Sequence, residues 1–323
     1  MAVQTQDFAG AVRTQVARVV VGQDEVVERT LIALLTGGHL LLVGVPGIAK
    51  TLLVNAVARA IDLKFGRVQF TIDMLPSDII GAEILDTNTG GFRTHHGPVF
   101  TNLLLADEIN RAAPKVQSAL LEAMQERKVT IGDTTRPLPV PFLVIATQNP
   151  VEQAGTFELP EAQLDRFMLC HRLSYPTAAQ EEEIVTRQLA MGLRRSAGGA
   201  VPRTAFDLIE GEATARLADL AGAMETVQAV HVSEVFTKHC VELVRRTRVH
   251  PAVELGCSPR AALALVLASR ARAFLHGRDY AVPEDLFALA TDVLLHRMRL
   301  SYAALAEGRK PTDVLEEILR ATG

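Results

Sequence analysis

The segment that most constrains the fold is a glycine-containing stretch between a predicted strand and a predicted helix. It reads Gly44-Val45-Pro46-Gly47-Ile48-Ala49-Lys50-Thr51, and it follows the apolar run His39–Val43 and precedes the helical run Leu52–Ile61. The general phosphate-binding loop has the pattern G-x-x-x-x-G-K-[ST], and here Ala49 replaces the second glycine. Backbone N–H groups of such a loop, with the N-terminus of the next helix, bind phosphate oxygens. The segment therefore predicts a strand–loop–helix unit that binds a phosphate group.

The two residues that end this loop suit the polar parts of a bound nucleotide. The ammonium group of Lys50 can bind β- and γ-phosphates, and the hydroxyl of Thr51 can coordinate Mg²⁺. We expect the residues that contact the nucleotide here to run from Gly44 to Leu52. A glycine–proline turn with an incidental lysine is the alternative that this segment alone leaves open.

Two adjacent acids, Asp107 and Glu108, follow the apolar stretch Leu103–Ala106. An acid at the carboxyl end of a buried strand beside a phosphate loop can coordinate Mg²⁺. A second carboxylate next to it can orient an attacking water or accept its proton. A pair of acids that caps the next helix is the alternative. Together with the lysine loop, the pair favours hydrolysis over phosphoryl transfer to a bound small molecule.

Polar residues also end a third apolar run, Phe142–Ala146, which continues as Thr147-Gln148-Asn149-Pro150. An amide at this level of a sheet could hydrogen-bond the γ-phosphate or the attacking water. An Asn-Pro pair is also a common start of a turn, and the spacing alone does not separate the two interpretations.

The hydrophobic period divides the chain into two predicted domains, residues 1–176 and 177–323. In the first, short apolar runs alternate with helical patterns, which predicts an α/β domain with a parallel sheet and helices on both faces. In the second, the strand-like runs stop, and helices are predicted after Ser258-Pro259 and after Pro283. The stretch Arg194–Arg203 is interpreted as a loop. We therefore expect an all-helical second domain.

Composition excludes several classes of protein. Hydrophobic residues make up 48% and charged residues 22% of the chain, which is typical of a globular protein and not of a disordered one. The longest apolar run, Ala261–Ala268, has eight residues, whereas a membrane-spanning helix needs roughly 20. The net charge of −4 argues against a nucleic-acid-binding protein. The first ten residues do not resemble a secretory signal, so a cytoplasmic location is expected.

Four segments in order resemble the MoxR family of AAA+ ATPases, in the helix-2-insert clade. They are GVPGIAKT, LLLADEINRAAPKVQSALLEAMQE, ATQNPVEQAGTFELPEAQLDRF and LGCSPRA. The resemblance extends from about Val20 to Arg299. The alanine before Lys50 is itself a feature of this family. The resemblance implies an αβα nucleotide-binding domain followed by a helical lid domain.

The resemblance also implies a role for each matching residue. These roles are nucleotide binding for Lys50, Mg²⁺ coordination for Thr51 and Asp107, the catalytic base for Glu108, sensor 1 for Asn149, the arginine finger for Arg166, sensor 2 for Arg260, and adenine contact for Val20-Val21-Gly22-Gln23. A guanidinium group suits the spread charge of a γ-phosphoryl transition state. From the residues alone, a surface ion pair of Arg166 with Asp165 or Glu161 and a solvated Arg260 remain open.

Two predicted hairpins match insertions of the same clade, over Ile84–Gly97 and Lys128–Pro141. Asn88-Thr89-Gly90-Gly91 and Gly132-Asp133 are their turn signals. In relatives such hairpins face the central pore or the upper surface of a ring, and ordinary surface hairpins are the alternative. The adjacent His95 and His96 lack a third ligand at useful spacing, so a solvated loop is favoured over a metal site.

The resemblance finally implies ATP and Mg²⁺ as cofactors and a homo-oligomer, expected to be a hexameric ring. The expected partners are a client protein and a protein with a von Willebrand factor A domain, on which the ATPase acts as a chaperone. A magnesium-chelatase-like ATPase subunit and a DNA motor of the same clade are alternatives. A small-molecule kinase and a binding module that switches slowly between ATP and ADP are two further alternatives.

Overall fold

The helices and strands come from a computed structural model that describes residues 8–44, 50–85, 87, 90–150, 155–196, 198–209 and 213–322. The helices are α1 Phe8–Ala17, α2 Asp24–Thr36, α3 Lys50–Ala60, α4 Pro76–Ile80, α5 Pro114–Glu126, α6 Glu161–Leu164, α7 Ala178–Ala190, α8 Leu217–Ala229, α9 Glu234–Val249, α10 Pro259–Leu275, α11 Pro283–Leu294, α12 Tyr302–Ala306 and α13 Pro311–Arg320. The strands are β1 Leu40–Val43, β2 Phe65–Gln69, β3 Gly81–Leu85, β4 Phe92–His96, β5 Leu103–Asp107, β6 Lys128–Ile131, β7 Thr134–Pro137, β8 Leu143–Gln148, β9 Leu169–Arg172, β10 Leu193–Ser196, β11 Gly199–Pro202, β12 Val253–Leu255 and β13 Arg299–Leu300.

A five-stranded parallel sheet with the order β2-β5-β8-β1-β9 forms the centre of the first half of the chain. Alternate residues of its inner strands enter different cores, because successive side chains of a strand point to opposite faces. Leu103 and Leu105 pack in a core with α1, α2 and α3. Leu104 and Ala106 pack in a second core with α5. The continuous apolar runs therefore reflect burial on both faces, and the predicted α/β fold class is confirmed.

The strand bounds differ from the predicted ones by one or two residues. The apolar stretch Leu103–Ala106 lies in β5, which continues one residue further to Asp107, the partner of Gln69 on β2. The run predicted as Phe142–Ala146 begins at Leu143 and continues to Gln148, which pairs with Val43 of β1. Pairing with a neighbouring strand, rather than apolar character, sets where each strand ends.

The second half of the chain is mostly helical, which confirms a helical lid domain, but it is not entirely helical. The stretch Arg194–Arg203, predicted as a loop, is mostly a hairpin in which Leu193 pairs with Pro202. A second small sheet joins β12 to β13. These strands are only two to four residues long, and Gly199, the first residue of β11, has φ +132°. The domain boundary at 176/177 lies between β9 and α7 and stays a prediction.

The helices predicted after Ser258 and Pro283 are present as α10 and α11. The Ser258 hydroxyl accepts a hydrogen bond from the Arg260 backbone N–H at 3.2 Å, as expected of a helix N-cap. Gly277, just beyond α10, has φ +71°. These two ends were predictable because they depend on residues within a single turn.

Both predicted hairpins are present as β3–β4 and β6–β7. The first begins at Gly81, directly after α4, and not at Ile84. The first part of its turn, residues 88–89, lies outside the described residues. Arg136 donates a hydrogen bond to the Thr94 hydroxyl at 3.1 Å and so ties the two hairpins together.

The described residues contain no group of three or more His, Cys, Asp or Glu side chains that could hold a metal ion. His96 lies on β4 and stacks on Phe100 with ring centroids 4.2 Å apart. Burial raises the pKa of the thiols of Cys170 and Cys240 to about 12 and that of Cys257 to about 11, so all three remain protonated near neutral pH. Within the described part of the chain, none of the helices has the length and apolar character needed to cross a bilayer.

Buried charged groups fix the lid domain on the first domain. Arg29 of α2 donates to the Asp292 carboxylate of α11 at 2.6 Å. Nδ1 of His171 on β9 lies 3.1 Å from the same carboxylate. A buried charge is tolerated only when it is paired, so this contact restricts how α11 can pack on α2 and β9.

The buried His39 gives a prediction about stability and pH. Its Nδ1 accepts from the Val144 N–H at 3.0 Å and its Nε2 lies 3.2 Å from the Met124 carbonyl, so the ring is neutral with the proton on Nε2. Burial lowers the pKa of His39 from 6.5 to about 4. Below pH 6.5 the unfolded chain therefore binds the proton more readily than the folded chain, and stability falls as pH is lowered towards 4.

Between pH 7 and pH 5 this residue should remove about 2 kcal/mol from the free energy of unfolding. Urea denaturation at the two pH values measures the difference. His39→Gln keeps one donor and one acceptor but does not titrate. Between the two pH values its free energy of unfolding should therefore fall by about 2 kcal/mol less than that of the wild type. His95→Gln, at an exposed histidine, is the control. An equal loss in wild type and His39→Gln would contradict the prediction.

Candidate nucleotide site

The carboxyl ends of three neighbouring strands bring most of the predicted site residues together. The Gly44 N–H donates to the Gln148 carbonyl at 3.1 Å, which holds the end of β1 beside the end of β8. A Cβ at Gly44 would lie 2.7 Å from the Leu173 Cβ, so the backbone approach here requires glycine. The predicted contacts of Val45, Pro46, Gly47, Ile48 and Ala49 fall outside the described residues.

Lys50 is the first residue of α3, and its side chain is half-buried. Its Nζ donates to the Gly44 carbonyl at 2.8 Å, across the predicted loop. Burial lowers the pKa of Lys50, while the charges of Asp107 and Glu108 raise it. The ammonium group therefore lies within electrostatic reach of both predicted acids, and Thr51 follows it in the first turn of α3.

Asp107 ends β5 with both carboxylate oxygens engaged. Oδ1 accepts from the Thr147 hydroxyl at 2.6 Å, and Oδ2 accepts from Arg67 Nη2 at 2.7 Å. Arg67 is on β2, and its side chain is 46% exposed, so this ion pair contributes little to stability. The two contacts therefore fix the orientation of the Asp107 carboxylate.

Glu108 follows directly in a left-handed conformation, with φ 58° and ψ 50°. This conformation is uncommon for a residue other than glycine and costs roughly 1–3 kcal/mol. The Glu108 N–H donates to the Thr147 hydroxyl at 2.8 Å, and its carboxylate accepts from Gln69 at 2.9 Å and pairs with Arg111 at 2.7 Å. Thr147 therefore links the two acids, since its hydroxyl donates to one and accepts from the other.

Sequence reasoning missed this role of Thr147 and the contacts of Arg67, Gln69 and Arg111. Thr147 stands in the same polar stretch as Asn149, and the pairing of Ala106 with Ala146 places it beside Asp107. The register between β5 and β8 is therefore the signal from which the role of Thr147 could have been predicted. The strand β2 carries no apolar run, and so Arg67 and Gln69 had no predicted position.

Asn149 is buried and follows β8, at the level of the sheet where an amide was expected. It lines a cavity of about 600 Å³ between the strand ends and the lid domain. Val43, Arg172 and His296 also line this cavity. The amide is therefore on the same edge of the sheet as the two acids.

The predicted adenine-contacting stretch lines a second cavity, of about 380 Å³. Val20, Val21 and Gln23 form one side with Leu52, and residues of α7, including Ile184, form the other. Gly22 has φ +70°, and a Cβ there would lie 2.4 Å from Cδ of Gln180. An apolar cavity of this kind suits a planar base. The contribution of α7 was not predicted.

Arg166 lies between α6 and β9, apart from these residues. Its Nε donates to Gln125 at 3.1 Å and its Nη1 donates to the Ala162 carbonyl at 3.1 Å. The two acids considered as surface partners pair elsewhere, Asp165 with Arg297 and Glu161 with Arg299. Among the described contacts, the hydrogen bonds of Arg166 do not reach Lys50, Asp107 or Glu108.

Arg260 lies in the first turn of α10, and its side chain is 56% exposed. Its Nη1 is 3.8 Å from the Asp165 carboxylate, so it faces a charged group and is not only solvated. The predicted role of Arg260 at the nucleotide stays a prediction, as do the roles of the other site residues, Lys50, Thr51, Asp107, Glu108, Asn149 and Arg166.

The residues present fit Mg²⁺ and a nucleoside triphosphate. The Thr51 hydroxyl and the Asp107 carboxylate are oxygen ligands of the kind that Mg²⁺ prefers. Lys50 and the N-terminus of α3 supply positive charge for phosphates. The apolar cavity beside Val20 and Leu52 could hold a base.

Two family models and a solved structure match the chain. The model of the ATPase family associated with various cellular activities (AAA) matches residues 39–169, and that of the AAA lid domain matches residues 245–318. The crystal structure of a protein from Cytophaga hutchinsonii, provisionally named an ATPase, superposes with a TM-score of 0.87 at 44% identity. That match covers 98% of this chain and 94% of the other.

Three curated relatives are similar over most of their length. Chaperone MoxR1 of Mycobacterium tuberculosis is 45% identical, over 95% of this chain and 79% of that protein. YeaC of Bacillus subtilis, whose function is uncharacterised, is 42% identical, over 94% and 91%. Protein MoxR of Methylorubrum extorquens is 33% identical, over 98% and 94%. With this coverage and with both AAA models matched in order, the chain belongs to the MoxR family of AAA+ ATPases.

Proposed function

We propose that the protein hydrolyses ATP to ADP and phosphate with Mg²⁺, at sites shared between neighbouring copies in a homo-oligomeric ring, and uses the reaction to remodel, assemble or activate a partner protein. The observation that carries this proposal is the group formed by Lys50, at the start of α3, with Asp107 and Glu108, at the carboxyl end of β5, whose charges act on the Lys50 ammonium group. One cation for phosphates, one acid for a metal and one acid for a water are the groups that hydrolysis needs.

Each residue has a chemical task in this proposal. Water attacks the γ-phosphorus, the bond to the β–γ bridging oxygen breaks, and Glu108 accepts the proton that the water loses. Lys50 binds phosphate oxygens, and Asn149 orients the water or the γ-phosphate. Thr51 and Asp107 would hold Mg²⁺, which when bound offsets the negative charge of the phosphates.

Arg166 is the reason to propose shared sites. Its hydrogen bonds lead to Gln125 and Ala162, on the side of α5 and α6, and not to the acids of its own chain. A guanidinium group there is available to the γ-phosphoryl group bound by a neighbouring copy. Six copies in a ring is the arrangement that the family resemblance favours, and a heterologous contact of this kind closes into a ring.

The proposed partner is another protein. A relative at 45% identity is named a chaperone, which supports action on another protein. The family resemblance favours a client together with a protein that contains a von Willebrand factor A domain, and a cytoplasmic location. The hairpins β3–β4 and β6–β7 are the segments that we propose for that contact, since Phe92 and Leu85 are exposed on the first of them.

Hydrolysis per subunit should therefore rise with protein concentration. The rate of phosphate release with Mg²⁺ and ATP, measured across a dilution series, checks this. Chelation of Mg²⁺ and the Lys50→Ala substitution should each lower the rate by about 10²-fold or more, because each removes a charge that offsets the phosphates. A rate per subunit that is independent of concentration and unaffected by Arg166→Ala would contradict shared sites.

A further inference from the structure

The segment that carries Arg166 is held by one buried arginine of the lid domain. Arg297 ends the 3₁₀ turn after α11 and is 6% exposed. Its Nε donates to Oδ1 of Asp165 at 2.8 Å, and its Nη2 donates to the carbonyls of Asp165 at 3.2 Å and Phe167 at 2.6 Å. Its Nη1 donates to the Met168 carbonyl at 3.2 Å. One guanidinium group thus binds the residues on both sides of Arg166.

The Asp165 carboxylate also binds the helix that carries Arg260. The Ser258 hydroxyl, at the N-cap of α10, lies 3.0 Å from each Asp165 carboxylate oxygen. Arg260 Nη1 is 3.8 Å from Oδ2 of the same group. Asp165 therefore joins three parts of the molecule: the Arg166 segment, the end of α11 through Arg297, and the start of α10.

Such a contact transmits position because the groups in it are rigid. The guanidinium group is planar and its N–H donors have a fixed geometry, so several bonds to one segment set the orientation of that segment. His296, next to Arg297, adds a contact of 3.1 Å between its Nε2 and the Phe167 carbonyl. A shift of the lid relative to the sheet must then displace the backbone on both sides of Arg166.

We propose that Arg297 and Asp165 are positioning residues that set Arg166 according to the position of the lid in the same subunit. This proposal rests on the proposed function, in which Arg166 acts on the nucleotide of a neighbouring copy. A nucleotide that binds Arg260 acts on α10 and, through Ser258 and Asp165, on the Arg166 segment. The state of one site is thereby communicated to the next site in the ring. Neither residue contacts the reacting atoms.

The first test separates turnover from nucleotide binding. Arg297→Lys keeps the charge but loses the planar set of donors, and Asp165→Asn keeps the size but loses the charge. Each should lower kcat by about 10- to 10²-fold, the effect of a small misplacement of a transition-state group. The KM for ATP should change by less than about threefold, because neither side chain is among the residues proposed to contact the nucleotide. Arg309→Lys, which alters an exposed lid pair with Glu317, is the matched control.

The second test asks which side of the subunit interface is affected. A mixture of Arg297→Lys with Glu108→Gln should regain activity, since Glu108→Gln subunits still bind ATP and supply a well-placed Arg166 to intact sites. In rings that assemble at random from a 1:1 mixture, about a quarter of the interfaces join the intact nucleotide site of an Arg297→Lys subunit to the well-placed Arg166 of the other variant. A mixture of Arg297→Lys with Arg166→Ala should regain nothing, because both lack a working Arg166.

The opposite pattern would overturn the proposal. Rescue by Arg166→Ala but not by Glu108→Gln would show that Arg297 supports the nucleotide site of its own subunit. Wild-type kcat in both variants would show that the contact only attaches the lid. If Arg297→Lys does not fold, as circular dichroism would report, Asp165→Asn is used in the same mixtures. The reference mixture of Arg166→Ala with Glu108→Gln identifies a failure of the shared-site model itself, since it then shows no rescue either.

Discussion

Glu108→Gln is expected to lower kcat for ATP hydrolysis by about 10²- to 10⁴-fold while leaving ATP binding intact. The substitution keeps the size of the side chain and one oxygen that can accept from Gln69 or Arg111. It removes the ability to accept a proton from the attacking water. The left-handed backbone and the hydrogen bond to Thr147 do not involve the carboxylate, so the position of the residue should be unchanged.

Two measurements check this expectation. Single-turnover hydrolysis gives the rate of the chemical step, and the fluorescence of a labelled ATP analogue gives the dissociation constant. Glu316→Gln, at an exposed acid paired with Arg320 on α13, is the control and should behave as wild type. A Glu108→Gln rate within about threefold of the wild-type rate would exclude Glu108 as the general base.

The parts of the fold that were predictable have their signal within a short stretch of chain. Residues of β1, β5 and β8 are apolar in succession because they are buried on both faces of the sheet, which marks them as inner strands. The strand β2 is at the edge of the sheet and reads Phe-Gly-Arg-Val-Gln, of which only Val68 is buried. Its place depends on pairing with β5, which no local pattern encodes.

The same limit applies to the second half of the chain. The helix α7 has no buried residue in the structure, so no apolar stripe separates it from a polar segment. The hairpin β10–β11 is exposed and short, and its pairing was hidden within what resembled a loop. By contrast, α10 was predictable because Ser258 and Pro259 are adjacent residues with known preferences for a helix start.

In the candidate site, too, features encoded by neighbouring residues were predictable, and features that depend on distant parts of the chain were not. Lys50, Asp107 and Glu108 lie in contiguous motifs, and each could be assigned from the residues beside it. Thr147 binds both acids only because two strands that are distant in sequence pair in one register. The contact between Arg297 and Asp165 joins residues 132 positions apart, and its existence depends on how the lid packs. The positions of the candidate side chains were therefore easier to predict from the sequence than the contacts that orient them.

Arg166→Ala is expected to lower kcat by about 10³-fold or more, the effect of removing an arginine that acts in trans on a phosphoryl group. The affinity for ATP should be nearly unchanged, because Lys50, Asp107 and the apolar cavity of the same subunit are intact. Arg166→Lys should recover little, since an ammonium group cannot make the paired hydrogen bonds of a guanidinium group. Arg320→Ala, at an exposed arginine of α13, is the control.

Mixing distinguishes a trans role of Arg166 from a structural one. Arg166→Ala subunits have intact sites, and Lys50→Ala subunits have an intact Arg166, so neither variant alone hydrolyses ATP. In a random 1:1 mixture about a quarter of the interfaces combine an intact site with an intact arginine, and activity should return to that fraction of the wild-type rate. If Arg166 instead stabilised its own subunit through Gln125, each Arg166→Ala site would remain defective beside any neighbour. Absence of recovery, with subunit exchange shown by energy transfer between labelled copies, would therefore exclude the trans role.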